Sequence, residues 1–116
     1  VDSKQKAYTF ALKIIELIDS LSHEMSTQVM AKQLLRAATS IGANIIEAQA
    51  SPSRRDFTNF FNYSLKSANE TKYWLGLLKD SHNVDGKIID VLMQEANEIA
   101  NILGASIITL KNGKKL

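Results

Sequence analysis

Residues 26–53 read STQVMAKQLLRAATSIGANIIEAQASPS, and this stretch decides the fold. Met30, Leu34, Ala37, Ile41, Ile45 and Ala48 recur at steps of three or four, the spacing that lines one face of an α-helix. A strand would need apolar residues at every second position, and no such alternation is sustained here. Ser51-Pro52-Ser53 then breaks the pattern. Ser51 is expected to cap the next helix and Pro52 to take its first position, where a missing N–H costs nothing.

The same reading extends outward in both directions. Two further breaks fall at Ser20 to Ser26, ending in a serine able to cap, and at Asp80 to Gly86, with Asp85 as the cap. Asn112-Gly113 reads as a helix stop with basic residues beyond it. Four helical segments result, at about 3–20, 26–50, 53–80 and 86–111. The first carries two neighbouring stripes, Tyr8, Leu12, Ile15 and Ile18 beside Phe10, Ile14, Leu17 and Leu21. Phe57, Phe61, Ala68, Leu75 and Leu78 mark the third. Ile89, Leu92, Ala96, Ile99, Leu103, Ile107 and Leu110 mark the fourth, widened by Ile88, Ile102 and Ile108. Helices of roughly 20 to 27 residues joined by short connections must run antiparallel. The expected architecture is all-α, an up-and-down four-helix bundle formed as one domain over residues 1–116. The apolar arcs of the first and fourth helices exceed what one shared core needs, so an oligomer that covers the surplus is expected.

Composition narrows the function classes. The 116 residues include no cysteine, which excludes disulfides, thiolate metal sites and a cysteine nucleophile. No apolar run approaches the length of a membrane span or a signal-peptide core. A soluble, cytoplasmic protein is expected, without a membrane partner. Fourteen Lys and Arg against twelve Asp and Glu leave a net charge of +2, which permits a nucleic-acid partner without requiring one.

Enzymatic readings find little support. Glu16, Glu47, Glu70 and Glu95 place one carboxylate on each helix, as in di-metal bundles. The two histidines, His23 and His82, fall in connections, and neither follows a Glu by three residues, so no metal site and no cofactor are expected. Phosphate loops and nucleophile elbows are absent. Gly42, Gly76 and Gly104 lie inside helices, where they are expected to permit close helix approach. No catalytic residue is assigned.

Two polar patterns stand out. On the second helix Gln33, Arg36, Ser40, Asn44 and Glu47 form a stripe of amides, hydroxyls and single charges, unlike the Lys- and Glu-rich faces that merely solvate a helix. Antiparallel pairing about Pro52 sets Arg36 opposite Ser67 and Glu70, so a structural network across the two helices is expected. The second pattern is basic: residues 51–80 hold five cations and three anions. Arg54, Arg55, Lys66 and Lys72, with Lys111, Lys114 and Lys115 at the far end, are candidates for tracking phosphates. Within a monomer a solubilising role explains them as well. Neither a recognition helix nor an aromatic stacking platform is identifiable, so binding is expected to be non-specific.

The run Gln33-Leu34-Leu35-Arg36-Ala37-Ala38-Thr39-Ser40-Ile41-Gly42-Ala43-Asn44-Ile45-Ile46-Glu47 resembles the signature of the four-helix-bundle family found in 23S rRNA intervening sequences. Arg54 or Arg55, Phe57, Phe60 and Phe61 match its middle portion, and Ser67 and Glu70 match its closing Ser-x-x-Glu. Ala48 stands where the family usually has Gly, and Ser64 and Lys66 replace Ala and Gly before Ser67. Without that glycine the second helix is expected to run on toward Ser51. The resemblance implies a bacterial, cytoplasmic protein that forms homopentamers; with no catalytic constellation in the residues, a non-enzymatic protein is expected. It also brings in the related accessory proteins of diversity-generating retroelements, and with them RNA or DNA and a reverse transcriptase as partners. Five copies turn a charge of +2 into +10, so modest basic patches add. The alternative is a structural or protein–protein interaction bundle that binds no nucleic acid.

Overall fold

A computed structural model describes residues 2–81 and 84–116. Four helices run in order: α1 (Ser3–Asp19), α2 (Met25–Gln49), α3 (Arg54–Ser81) and α4 (Gly86–Lys111). No strand occurs among the described residues. The connections are short and each helix packs on its neighbours in sequence, with α4 closing on α1, so the up-and-down bundle is the observed architecture. It is a rod of 47 × 21 × 19 Å. The α2–α3 contact is the most extensive and α1–α4 the least.

The core follows the expected stripes. Leu34, Ile41, Ile45 and Ala48 of α2, with Leu75 and Leu78 of α3 and Ile89 and Leu103 of α4, are wholly removed from solvent. On α3 the inward positions Phe57, Phe61, Ser64, Ala68, Thr71, Leu75 and Leu78 alternate steps of four and three, the seam of a left-handed bundle. Two of them are hydroxyls. Ser64 donates to the Ile41 carbonyl of α2 at 2.8 Å, and Thr71 to the Ser67 carbonyl of its own helix at 2.8 Å, so neither is left unsatisfied. On α1 the stripe Phe10, Ile14 and Leu17, continued by Leu21 just past the helix end, faces inward, while Tyr8, Leu12 and Ile15 face solvent.

Several boundaries differ from the sequence expectation. Asp2 caps α1 by accepting from the Lys4 and Gln5 N–H groups, and α1 is only 17 residues long. Glu24, not Ser26, holds the cap position of α2. The cap of α3 is Ser53, whose hydroxyl accepts the Asp56 N–H at 3.1 Å, while Ser51 turns back to the Glu47 carbonyl. Pro52 limits only the end of α2. A residue before proline is pushed out of helical geometry, so Ser51 cannot extend α2, which stops at Gln49 despite the buried Ala48. Asp85 caps α4 as expected, accepting from the Lys87 N–H at 2.9 Å. At the far end Gly113 takes φ 75°; its N–H reaches the Leu110 carbonyl and the Lys114 N–H the Thr109 carbonyl, which is a Schellman stop.

Of the three glycines inside helices, Gly42 makes the tightest approach to a neighbouring helix, where an added Cβ would touch Ala7 at 3.5 Å. Gly76 approaches only the tip of Met93, and Gly104 has nothing within 4 Å. Close packing therefore does not explain Gly104.

Candidate functional site

Arg36 and Glu70 meet across α2 and α3: the guanidinium donates to Glu70 Oε2, and Arg36 Nε donates to Gln33 Oε1 at 3.1 Å. The same Glu70 oxygen accepts the indole N–H of Trp74 at 2.9 Å. Trp74 in turn holds the Tyr73 ring edge-to-face, with centroids 5.0 Å apart. Solvent reaches this pair, since the Arg36 and Glu70 side chains are 54% and 37% exposed. The remaining polar residues of the α2 stripe turn to their own backbone. Ser40 donates to the Arg36 carbonyl at 2.7 Å and Asn44 to the Ser40 carbonyl at 2.8 Å. Glu47 is exposed, and Ser67 offers its carbonyl to Thr71. Short side chains on a helix reach the carbonyl four residues back more readily than a neighbouring helix.

The basic candidates divide by position. Arg54, Arg55, Lys111, Lys114 and Lys115 gather at the end formed by the α2–α3 connection and the close of α4, all exposed. Arg54 donates its guanidinium to the Lys114 backbone carbonyl. A cation at a helix start opposes the macrodipole of α3, and the carbonyl-rich close of α4 compensates it. Lys66 lies about 18 Å further along α3, its ammonium 6.0 Å from the centre of the Tyr63 ring. Lys72 turns toward α4 and donates to Asn97 at 3.1 Å. His23 is exposed in the first connection, and His82 lies outside the described residues.

Charge is segregated along the rod. The half built from residues 2–6, 37–67 and 102–116 holds eight cations (Lys4, Lys6, Arg54, Arg55, Lys66, Lys111, Lys114, Lys115) and three anions (Asp2, Glu47, Asp56). The other half holds six cations and nine anions. Lys13 with Glu95 and Lys79 with Asp90 at 2.6 Å pair within that half, and Lys6 of the basic half reaches across the division to Glu98. The hydrogen bond that Lys79 donates to Asp90, and then the Asp90 charge, raises the Lys79 pKa above the ordinary 10.5. Among the described residues no three His, Asp or Glu converge as metal ligands, and no helix is long and apolar enough to cross a membrane.

A second surface is apolar. Tyr8, Leu12 and Ile15 of α1 and Ile46 of α2 are exposed around a groove of about 400 Å³ whose floor includes Ala7, Ala11, Gly42 and Ala43. Ile88, Val91 and Ile108 are exposed on α4. The sequence pattern located the surplus on α1 and α4 but missed the contribution of α2, because Ile46 lies beside a stripe that is itself fully used.

These features define a class: an antiparallel four-helix bundle with a bridged α2–α3 face, a basic end and uncovered apolar strips. The family model of the 23S rRNA-intervening sequence protein matches residues 1–105, and the chain belongs to that family. A crystal structure of a protein of unknown function from the S23 ribosomal protein family of Bacteroides thetaiotaomicron is similar, with 42% identity and a TM-score of 0.85. The match covers 90% of this chain and 97% of that one. No curated protein matches.

Proposed function

We propose that the chain is a non-enzymatic, cytoplasmic subunit of a homo-oligomer that binds nucleic acid through phosphate contacts at its basic end. The observation that carries this reading is the segregation of charge: eight cations against three anions in one half of the rod. Closed assembly around an axis would repeat that end, and the summed field would exceed that of any one subunit. The apolar groove between α1 and α2 supports assembly, and the pentameric number rests on the resemblance alone. A non-enzymatic role is supported by the engagement of the polar side chains on α2 and α3: Glu70 faces Arg36, and Ser40 and Asn44 bond their own helix.

The test is a titration of the intact protein with structured RNA and duplex DNA at several salt concentrations. Affinity should fall steeply with salt, with a log–log slope near −0.9 for each phosphate neutralised on duplex DNA. Replacing Arg54, Arg55, Lys114 and Lys115 by alanine should weaken binding to every nucleic acid and flatten the slope. Undetectable binding at low salt would favour the protein-interaction reading, in which a protein partner such as a reverse transcriptase occupies the bundle.

A further inference from the structure

The outward face of α3 carries a pattern that the basic end does not explain. Tyr63 and Tyr73 are 49% and 61% exposed, and each follows an exposed asparagine by four residues, Asn59 before Tyr63 and Asn69 before Tyr73. Residues four apart on a helix are neighbours on one face, so each ring has an amide beside it. Lys66 lies between the two pairs and exposes its ammonium near the Tyr63 ring. From residue 57 to 69 α3 has no acidic residue, and Glu70 is engaged by Arg36 and Trp74. An ordinary solvated helix face of this length carries Lys and Glu in alternation, not two tyrosines and two amides.

We propose that this face binds single-stranded RNA, with unpaired, non-adjacent bases stacked on Tyr73 and Tyr63 and one of the phosphates between them held by Lys66. The proposal rests on the nucleic-acid reading above and specifies its substrate class. Aromatic rings interleaved with cations and clear of acids match what a single strand presents, a π-face on each base and a charge on each link. The tyrosines are ten residues apart, about 15 Å along the helix, which spaces them for different nucleotides of one extended strand. An amide both donates and accepts, as does the ribose 2′-hydroxyl, so Asn59 and Asn69 favour RNA over DNA. Tyr73 is preorganised. Its ring rests against Trp74, whose N–H is fixed by Glu70, which is fixed in turn by Arg36. That gives the α2–α3 bridge a positioning role toward the stacking ring.

The experiment compares binding of the intact protein to a labelled unstructured poly(U) oligonucleotide, an RNA duplex of equal length and oligo(dT), at one low salt concentration. Poly(U) should bind best and quench the fluorescence of Trp74, the sole tryptophan. Tyr73→Ala should weaken poly(U) binding about tenfold while leaving duplex affinity and the thermal melt unchanged, and Tyr73→Phe should retain binding. Arg36→Ala should weaken poly(U) but not duplex binding, whereas Arg54→Ala with Arg55→Ala should weaken both. Equal binding of poly(U) and duplex with a neutral Tyr73→Ala would overturn this site and leave the basic end standing. Equal binding of oligo(dT) would overturn the assignment to RNA, and absence of all binding would overturn the proposed function itself.

Discussion

Arg36 and Glu70 illustrate how far a single residue's role follows from spacing. Their opposition is legible because the Ser51-Pro52-Ser53 break fixes which positions of two antiparallel helices face each other. The solvent exposure of the pair is not legible, because it depends on how far the helix surfaces curve away beside the contact. A bridge this exposed contributes little: a double-mutant cycle of Arg36→Ala and Glu70→Ala should give a coupling below about 1 kcal/mol that shrinks as salt is added. Glu70→Ala alone should cost more than Arg36→Ala, since it also strips the indole N–H of Trp74 of its acceptor. Ser40 and Asn44 were readable as polar but not as self-engaged; the choice between the carbonyl four residues back and a partner helix is settled by side-chain reach. Ser64 is the opposite case, a hydroxyl inside the seam whose cross-helix bond to Ile41 no periodicity announces. Ser64→Ala should destabilise by about 1 kcal/mol in chemical denaturation, because it removes one hydrogen bond and leaves a carbonyl that its own helix already serves.

At the scale of the element, the seams of α2, α3 and α4 were legible because each has one apolar stripe. α1 has two, and the sequence could not rank them: Phe10 and Ile14 turn inward because that stripe faces both α2 and α4, leaving Tyr8 and Leu12 outside. Helix starts were less legible than seams. Ser51 and Ser53 are both competent caps, and periodicity does not separate them; in the structure Ser53 takes the Asp56 N–H while the Ser51 hydroxyl turns back to the Glu47 carbonyl of α2. The stop of α4 was legible, and it gives a sharp expectation. Gly113 holds a positive φ that an L-residue resists, so Gly113→Ala should cost about 1 kcal/mol and fray the Lys114 carbonyl that receives Arg54. At the opposite end Lys79 joins α3 to the first turn of α4 through Asp90. Its pKa is raised on folding, so the stabilisation is complete below the ordinary 10.5 and disappears as pH climbs through the folded value. Thermal melts of the native protein and Lys79→Met should therefore differ at neutral pH and converge in strong alkali.

Over the whole molecule, two asymmetries coincide: the charge is gathered toward one end, and uncovered apolar side chains lie along the flanks of α1, α2 and α4. Either alone has a modest consequence. A lone basic end on a 12.9 kDa rod neutralises few phosphates, and a lone apolar strip is a solubility liability. In the proposed assembly they would make oligomerisation and nucleic-acid binding interdependent, because packing the flanks would bring basic ends side by side and let a single strand or duplex engage several at once. Leu12→Asp with Ile15→Asp tests that dependence without touching a basic residue. Both side chains are exposed in the subunit, so the helical signal and the folded subunit should survive. Light scattering should show the assembly falling to 12.9 kDa, and nucleic-acid affinity should drop at least about tenfold with a shallower salt slope, although every Lys and Arg remains. A variant that dissociates yet binds as tightly as the parent would place the whole interaction within one subunit.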